Sequence, residues 1–284
     1  MLVFKLLSLF IKQLLERTAF LMKMKNIITL GFLLVICAAL TFNFIQSTTT
    51  IRVAVAANLS YPMQKIKERF QKDHPHVNVE VISASSGKLT AQISHQAPFH
   101  IFISANMQYP NNLFEKGITT QKPTVITHGR AIGWSKKKLS SNLLSTKNLI
   151  ALLQSDVVKN IAIAEPDLAP YGKAAQDWLK SQGIWEKLKN KLVYGENVGK
   201  VNQYVYAESV DFAFTAASAS YFKNMSEKGS WIPLKQQKGI PHGGMVLNFG
   251  LENEKEASKL FFDYLLTAEA QEILDNFGYG EATH

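Results

Sequence analysis

Thiol chemistry is almost absent from this chain: one cysteine, Cys37, stands among 284 residues. It sits in an apolar N-terminal stretch, behind Ile36 rather than a small residue, so it is a poor lipidation site. Once that stretch is removed, disulfides and cysteine-based zinc sites are excluded. Dense Lys/Arg runs with interleaved aromatics are also missing, which argues against nucleic acid as a partner. Neither a Gly-x-Ser-x-Gly nucleophile frame nor a P-loop or dinucleotide fingerprint occurs. His74-Pro75-His76 is metal-like in residue type alone; two histidines do not close a metal shell, and the segment reads better as a polar helix end. Repeats and low-complexity segments are lacking.

The composition is that of a chain able to build a sizeable core, 46% hydrophobic and 19% charged. Net charge is +9, but residues 1–47 carry five basic residues and one acidic, leaving +5 on the remainder. A mildly basic body suits an anionic ligand and equally suits an ordinary soluble protein. Met24-Lys25 precedes an apolar run over residues 27–40, the pattern of a secretory signal peptide. The expectation is a leader over 1–47, cleaved near Ser47, with translation starting at Met24. An uncleaved membrane anchor is the alternative, because apolar residues continue to Ile45.

From residue 51 onward, strand-like and helix-like segments alternate. Residues 51–56, 77–82, 101–103, 160–164 and 210–214 read as strands. Helical periodicity marks a stretch with Met63, Ile66 and Phe70 on one face, then 89–93, 174–179, 256–266 and 269–277. Such alternation predicts an α/β fold with parallel sheets and crossover helices. Weak boundaries lie at 124–129 and at 239–244.

Four segments share the order strand, small or polar turn, helix: Ala56-Ala57-Asn58-Leu59-Ser60, Ser83 to Leu89, Glu165 to Lys173, and Glu196-Asn197-Val198-Gly199-Lys200. In open α/β sheets ligands sit at the carboxyl ends of strands, and helix starts expose unpaired N–H groups that attract anions. Each turn alone is better explained as a structural cap, since Asn58, Ser60 and Ser86 are favoured N-cap residues and Gly87, Gly172 and Gly199 suit tight turns.

A more specific combination is Ala56-Ala57-Asn58-Leu59, then Ser85-Ser86-Gly87-Lys88-Leu89-Thr90-Ala91-Gln92-Ile93, then Ala97-Pro98 with Ile101-Phe102-Ile103-Ser104-Ala105, then Glu165-Pro166 with Ala169-Pro170-Tyr171-Gly172. In order and spacing these segments resemble the periplasmic molybdate-binding proteins of molybdate ABC transporters, over about residues 51–278. The resemblance implies a two-lobe periplasmic binding protein fold (type II) with the ligand in the interlobe cleft. It implies lobe one over 50–126, lobe two over 127–250, and C-terminal helices, 251–284, returning to lobe one. It further implies molybdate or tungstate as ligand, no cofactor, no enzymatic step, an inner-membrane ABC permease as partner, a periplasmic location and a monomer.

Carried over by motif, Asn58 offers an amide, Ser86 a hydroxyl, and Tyr171 and Val198 backbone N–H groups, with Ala57 completing the shell. All would contact oxyanion oxygens rather than ligate the metal itself. Two departures stand out. Thr215 occupies the place where some members have a Tyr hydroxyl, so either Thr215 donates or Asn58 replaces that contact. His100 stands where the family usually has Asp. Rival readings are a sulfate, phosphate or phosphonate binder, a sensor held by its N-terminal segment, and an enzyme on the same fold. The enzyme would need a titratable group at the turns, where Glu165 and Lys200 are the near candidates.

Overall fold

The computed structural model describes residues 15, 17–18, 20–25, 28–29, 31–33, 48–139, 145–222, 224–234 and 239–280. Two compact units are present, 1–48 and 49–284. The described residues of 1–47 are helical, and no helix among the described residues is long and apolar enough to cross a membrane. Cys37 and most of the apolar run at 27–40 lie outside the described residues.

The larger unit runs β1 (Thr49–Ala56), α1 (Ser60–Asp73), β2 (Val77–Ala84), α2 (Ser86–Ser94), β3 (Ile101–Ser104), α3 (Gln108–Glu115), β4 (Thr124–Gly129) and β5 (Ala131–Ser135). It continues with α4 (Thr146–Gln154), β6 (Ile161–Ala164), α5 (Pro170–Ser181), α6 (Trp185–Leu188), β7 (Leu192–Gly195), α7 (Val198–Tyr206) and β8 (Phe212–Ala216). The last elements are β9 (Ser230–Pro233), β10 (Ile240–Val246), α8 (Asn248–Asn253), α9 (Lys255–Tyr264) and α10 (Ala268–Asp275).

These elements form two five-stranded sheets, ordered β2-β1-β3-β10-β4 and β7-β6-β8-β5-β9. In each, three parallel strands joined by helical crossovers are extended by two more, of which only the inner one, β10 or β5, runs antiparallel to the rest. Helices on both faces of the parallel part explain why β3, β6 and β8 are buried at every residue and read as continuous apolar runs. In α1, Met63, Ile66 and Phe70 fall on one face and join Ile51, Val53 and Val55 of β1 in the first core. Phe261, Leu265, Ala270 and Leu274 of the C-terminal helical segment lie in that same core. The second core gathers Ile161 and Ile163 with Leu179, Trp178, Phe212 and Phe214.

Both sheet changeovers lie away from the expected lobe limits, 126 for the first lobe and 250 for the second. Strand β10 pairs with β3 and β4 inside the first sheet, and β4 itself runs through residue 126 to Gly129. The glycines at 243 and 244 look like a turn in sequence but are extended strand. Their lack of a Cβ admits close packing: one added at Gly243 would come within 2.7 Å of Met107 Sδ, and one at Gly244 within 2.7 Å of Ile126 Cγ1. The chain passes from the first sheet to the second through Arg130 alone, and returns between β9 and β10.

Candidate functional site

The carboxyl ends of β1, β2 and β6 and the start of α7 converge on one small cavity between the two sheets. Asn58, Ser85 and Ser86 line it from the first side; Tyr171, Asn197 and Val198 line it from the second. Ala57 also borders it. Only about 10 Å³ is open to the centre of a water molecule, against about 450 Å³ in a surface groove beside Phe99 and Phe249. A space of that size suits one small ion rather than an organic solute. All its lining residues are uncharged.

Local structure explains what each turn contributes. Ser85 occupies the N-cap position of α2 in extended conformation, and Ser86 is the first helical residue. The Ser86 hydroxyl accepts the N–H of Ala105 at 3.0 Å, leaving its own proton to donate. Ser86 is therefore not the helix cap that its sequence context also allowed. Ser85 Oγ is buried and, among the described residues, has no hydrogen-bond partner in the protein. An orphaned buried hydroxyl costs about 1–3 kcal/mol, so a ligand oxygen there would be well received.

On the other side, α5 begins with Pro170, which has no N–H, so Tyr171 carries the first donor of that helix. Gly172 lets α5 start against the end of β6: a Cβ there would stand 2.1 Å from the carbonyl oxygen of Ala164. At α7, Asn197 Oδ1 caps Lys200 N at 3.1 Å, and Val198 is the first helical residue. First-turn N–H groups have no acceptor within their own helix, and two helix starts aimed at one cavity create positive potential without a cation.

The cleft is closed at its front by bonds between the two sides. Gly87 N donates to Leu168 O at 2.8 Å, and Tyr109 Oη donates to Asp167 O at 3.0 Å. Lys88 Nζ pairs with Glu196 Oε1 at 2.5 Å.

The model of the bacterial extracellular solute-binding proteins matches residues 51–280. The chain belongs to that family. A molybdate-binding protein ModA of Azotobacter vinelandii is 30% identical over 257 residues, covering 89% of this chain and 96% of that one. ModA of Rhodobacter capsulatus is 30% identical over 228 residues, covering 80% and 86%. Among solved structures, the Azotobacter vinelandii periplasmic molybdate-binding protein aligns with a TM-score of 0.73 at 24% identity, covering 81% of this chain and 98% of that one. The two-lobe α/β fold is thus that of the periplasmic binding proteins, and the relatives are binding proteins rather than enzymes.

Within this solute-binding protein, Ala57, Asn58, Ser86, Tyr171 and Val198 come together as the sequence suggested, but two side chains do otherwise. Thr215 is fully buried in β8 and away from the cavity, where its Oγ1 donates to Asn202 Oδ1 at 2.5 Å. The Asn58 amide turns behind the cavity: its Nδ2 lies 2.6 Å from His242 Nε2 and 3.0 Å from Tyr279 Oη, so both N–H bonds are spent there. Asn58 replaces no Tyr hydroxyl contact in this arrangement. Burial raises the Tyr171 and Tyr279 phenols above their ordinary range, keeping both neutral.

His100 also gains an account. Its Nδ1 accepts the N–H of Arg52 at 3.0 Å beside β1, the acceptor role a carboxylate would play at that place. Burial holds its pKa down, with Arg52 adding to the effect against Glu254. Sequence reasoning missed Ser85, Asn197 and the pair His242 and Tyr279. The adjacent Ser85 was legible as the second hydroxyl of the Ser-Ser-Gly turn; His242 and Tyr279 carry no local signal.

Proposed function

We propose that this protein is the periplasmic substrate-binding component of an ABC importer for molybdate or tungstate. The supporting observation is a cavity of single-ion size lined by uncharged residues, with the Ser85 hydroxyl unpartnered and the Ser86 proton free. A tetrahedral oxyanion that is fully ionised at neutral pH has acceptors on every corner, so it matches such a wall without a carboxylate. Phosphate keeps a proton near neutral pH and would need an acceptor. Glu165 and Lys200, the titratable residues nearest the turns, do not line the cavity.

Ser85 and Ser86 hydroxyls with the Tyr171 and Val198 N–H groups form the proposed shell, Ala57 and the Asn58 main chain closing it. Charge-assisted hydrogen bonds contribute about 1.5–3 kcal/mol each. Four or five give roughly 6–15 kcal/mol gross, enough for micromolar binding after ordering costs of several kcal/mol. Closure of the two sides around the ion would form the surface that the membrane permease reads, with the protein acting as a monomer. Export would remove the leader, giving an N-terminus within 46–50 by mass spectrometry; recovery of intact chain by detergent alone would instead show an anchor.

Calorimetric titration of the exported protein tests the ligand. Molybdate and tungstate should bind at least about tenfold tighter than phosphate, a difference of roughly 1.4 kcal/mol. Equal phosphate affinity would overturn the reading, and a sulfate preference would move it to a sulfate carrier.

A further inference from the structure

His242 is fully buried in β10, behind the cavity and outside its wall. Its two ring nitrogens face different partners. Nδ1 lies 2.9 Å from the carbonyl oxygen of Ile240, which can only accept, so Nδ1 carries the proton. Burial lowers the histidine pKa to about 4, with His128 contributing in the same direction, so the ring is neutral at physiological pH. A neutral ring protonated at Nδ1 has a bare lone pair at Nε2.

That lone pair meets Asn58 Nδ2 at 2.6 Å. The amide must therefore show its NH₂ to the ring rather than its carbonyl. Its second N–H reaches Tyr279 Oη at 3.0 Å, and the phenol proton goes on to Asn58 O at 2.7 Å. Ser218 Oγ adds a contact to Asn58 O at 3.3 Å. A single backbone carbonyl, that of Ile240, thus sets a tautomer that sets the direction of a side chain bordering the cavity.

We propose that His242 is a positioning residue of the oxyanion cavity: its unprotonated Nε2 fixes the orientation of the Asn58 amide and so the atoms that the 57–58 turn presents to the ion. This rests on the oxyanion reading above. Asn58, His242 and Tyr279 belong to the first side, whereas Ser218 and the Tyr171 phenol, 3.5 Å from Asn58 Nδ2, come from the second. Deprived of its acceptor, the amide is free to turn toward a space that holds one small ion, where it competes with the ligand.

Two measurements on the exported protein decide this. Nitrogen NMR of the His242 imidazole, recorded without oxyanion at neutral pH, should find the neutral ring protonated at Nδ1. A ring protonated at Nε2, or a cation, overturns the proposal. Molybdate titration then compares wild type, His242→Leu, Asn58→Ala, the double variant and His242→Gln, with thermal unfolding recorded for each. His242→Leu should weaken binding at least tenfold in the wild-type background and less than twofold in the Asn58→Ala background. His242→Gln keeps a side-chain acceptor and should recover most of the loss; should His242→Leu fail to fold, this variant and the NMR tautomer carry the decision. Equal losses in both backgrounds, or no recovery with Gln, overturn the positioning role. Wild type that ignores every oxyanion overturns the function and the positioning role together, whereas additive losses in a protein that binds overturn the positioning role alone.

Discussion

The two sides of the cleft share a sheet topology yet present different chemistry to the cavity. From the first sheet come side chains, the Ser85 and Ser86 hydroxyls, backed by the Asn58, His242 and Tyr279 network. From the second come helix starts at Tyr171 and Val198, whose proposed contribution is main-chain N–H. One side is therefore specified by residue identity, the other by backbone placement. Substitutions should expose the contrast: side-chain deletions should matter on the first side, and only changes that move the backbone should matter on the second.

The largest effect is expected at Gly172. An added Cβ would meet the Ala164 carbonyl at 2.1 Å and its carbon at 2.6 Å, both backbone atoms of β6 that cannot step aside. Gly172→Ala should push the start of α5 away, carrying the Tyr171 N–H with it. Overpacking of this kind costs about 1–3 kcal/mol of stability. Because the donor itself moves, oxyanion binding should drop more than a hundredfold, measured by titration at a temperature where the variant is folded. Binding within threefold of wild type would mean that the α5 start is not part of the shell.

A paired comparison sharpens the contrast. Ser86→Ala removes a hydroxyl donor and should weaken oxyanion binding by about 1.5–3 kcal/mol, roughly ten- to a hundredfold. It also strands the buried N–H of Ala105, so the ion-free protein should lose about 1–3 kcal/mol of stability. Val198→Ala deletes two buried carbons and should cost about 1.6 kcal/mol in stability. Its N–H stays in place, however, and oxyanion affinity should change less than threefold. Ser86→Asp tests ligand chemistry directly: a carboxylate can still accept from Ala105, but it repels a dianion, so binding should vanish at a temperature where the variant, which buries an added charge, is still folded. Unchanged affinity in Ser86→Asp would exclude Ser86 from the shell.

How far the sequence alone reaches follows the same division. The parallel strands and their helices were legible because burial on both faces leaves apolar runs, unbroken in β6 and interrupted only by Thr215 in β8, and because Met63, Ile66 and Phe70 recur at helical spacing. Strand β10 was not, since its Gly and Pro residues imitate a turn. Strand–turn–helix junctions marked the segments that hold Ser86, Tyr171 and Val198 because helix starts are local, and the resemblance to the molybdate-binding proteins singled out those residues within them. The direction of the Asn58 amide is set by His242 and Tyr279, 184 and 221 residues away, and no local pattern reports it. Thr215 stands where some molybdate-binding proteins have a Tyr hydroxyl, but Asn202 in the preceding helix takes its proton.

The smallest effect concerns the front of the cleft, where the two sides meet through one ion pair and two neutral bonds. Lys88 and Glu196 are about half exposed, so their attraction is screened by water and salt. If the pair acts as a latch, Lys88→Ala and Glu196→Ala should each weaken oxyanion binding by about 0.2–1 kcal/mol, less than roughly sixfold. Raising the salt should erase the difference from wild type, because the bonds Gly87 N to Leu168 O and Tyr109 Oη to Asp167 O hold no net charge. Electrostatics offers Lys88 a second role, attraction of the dianion toward the cleft, and the sign of the Glu196 substitution separates the two. Removing the carboxylate breaks a latch and weakens binding, but it unmasks an attracting cation and strengthens binding. Tighter binding in Glu196→Ala at low salt would therefore assign Lys88 to ligand capture and leave the two neutral bonds to close the cleft.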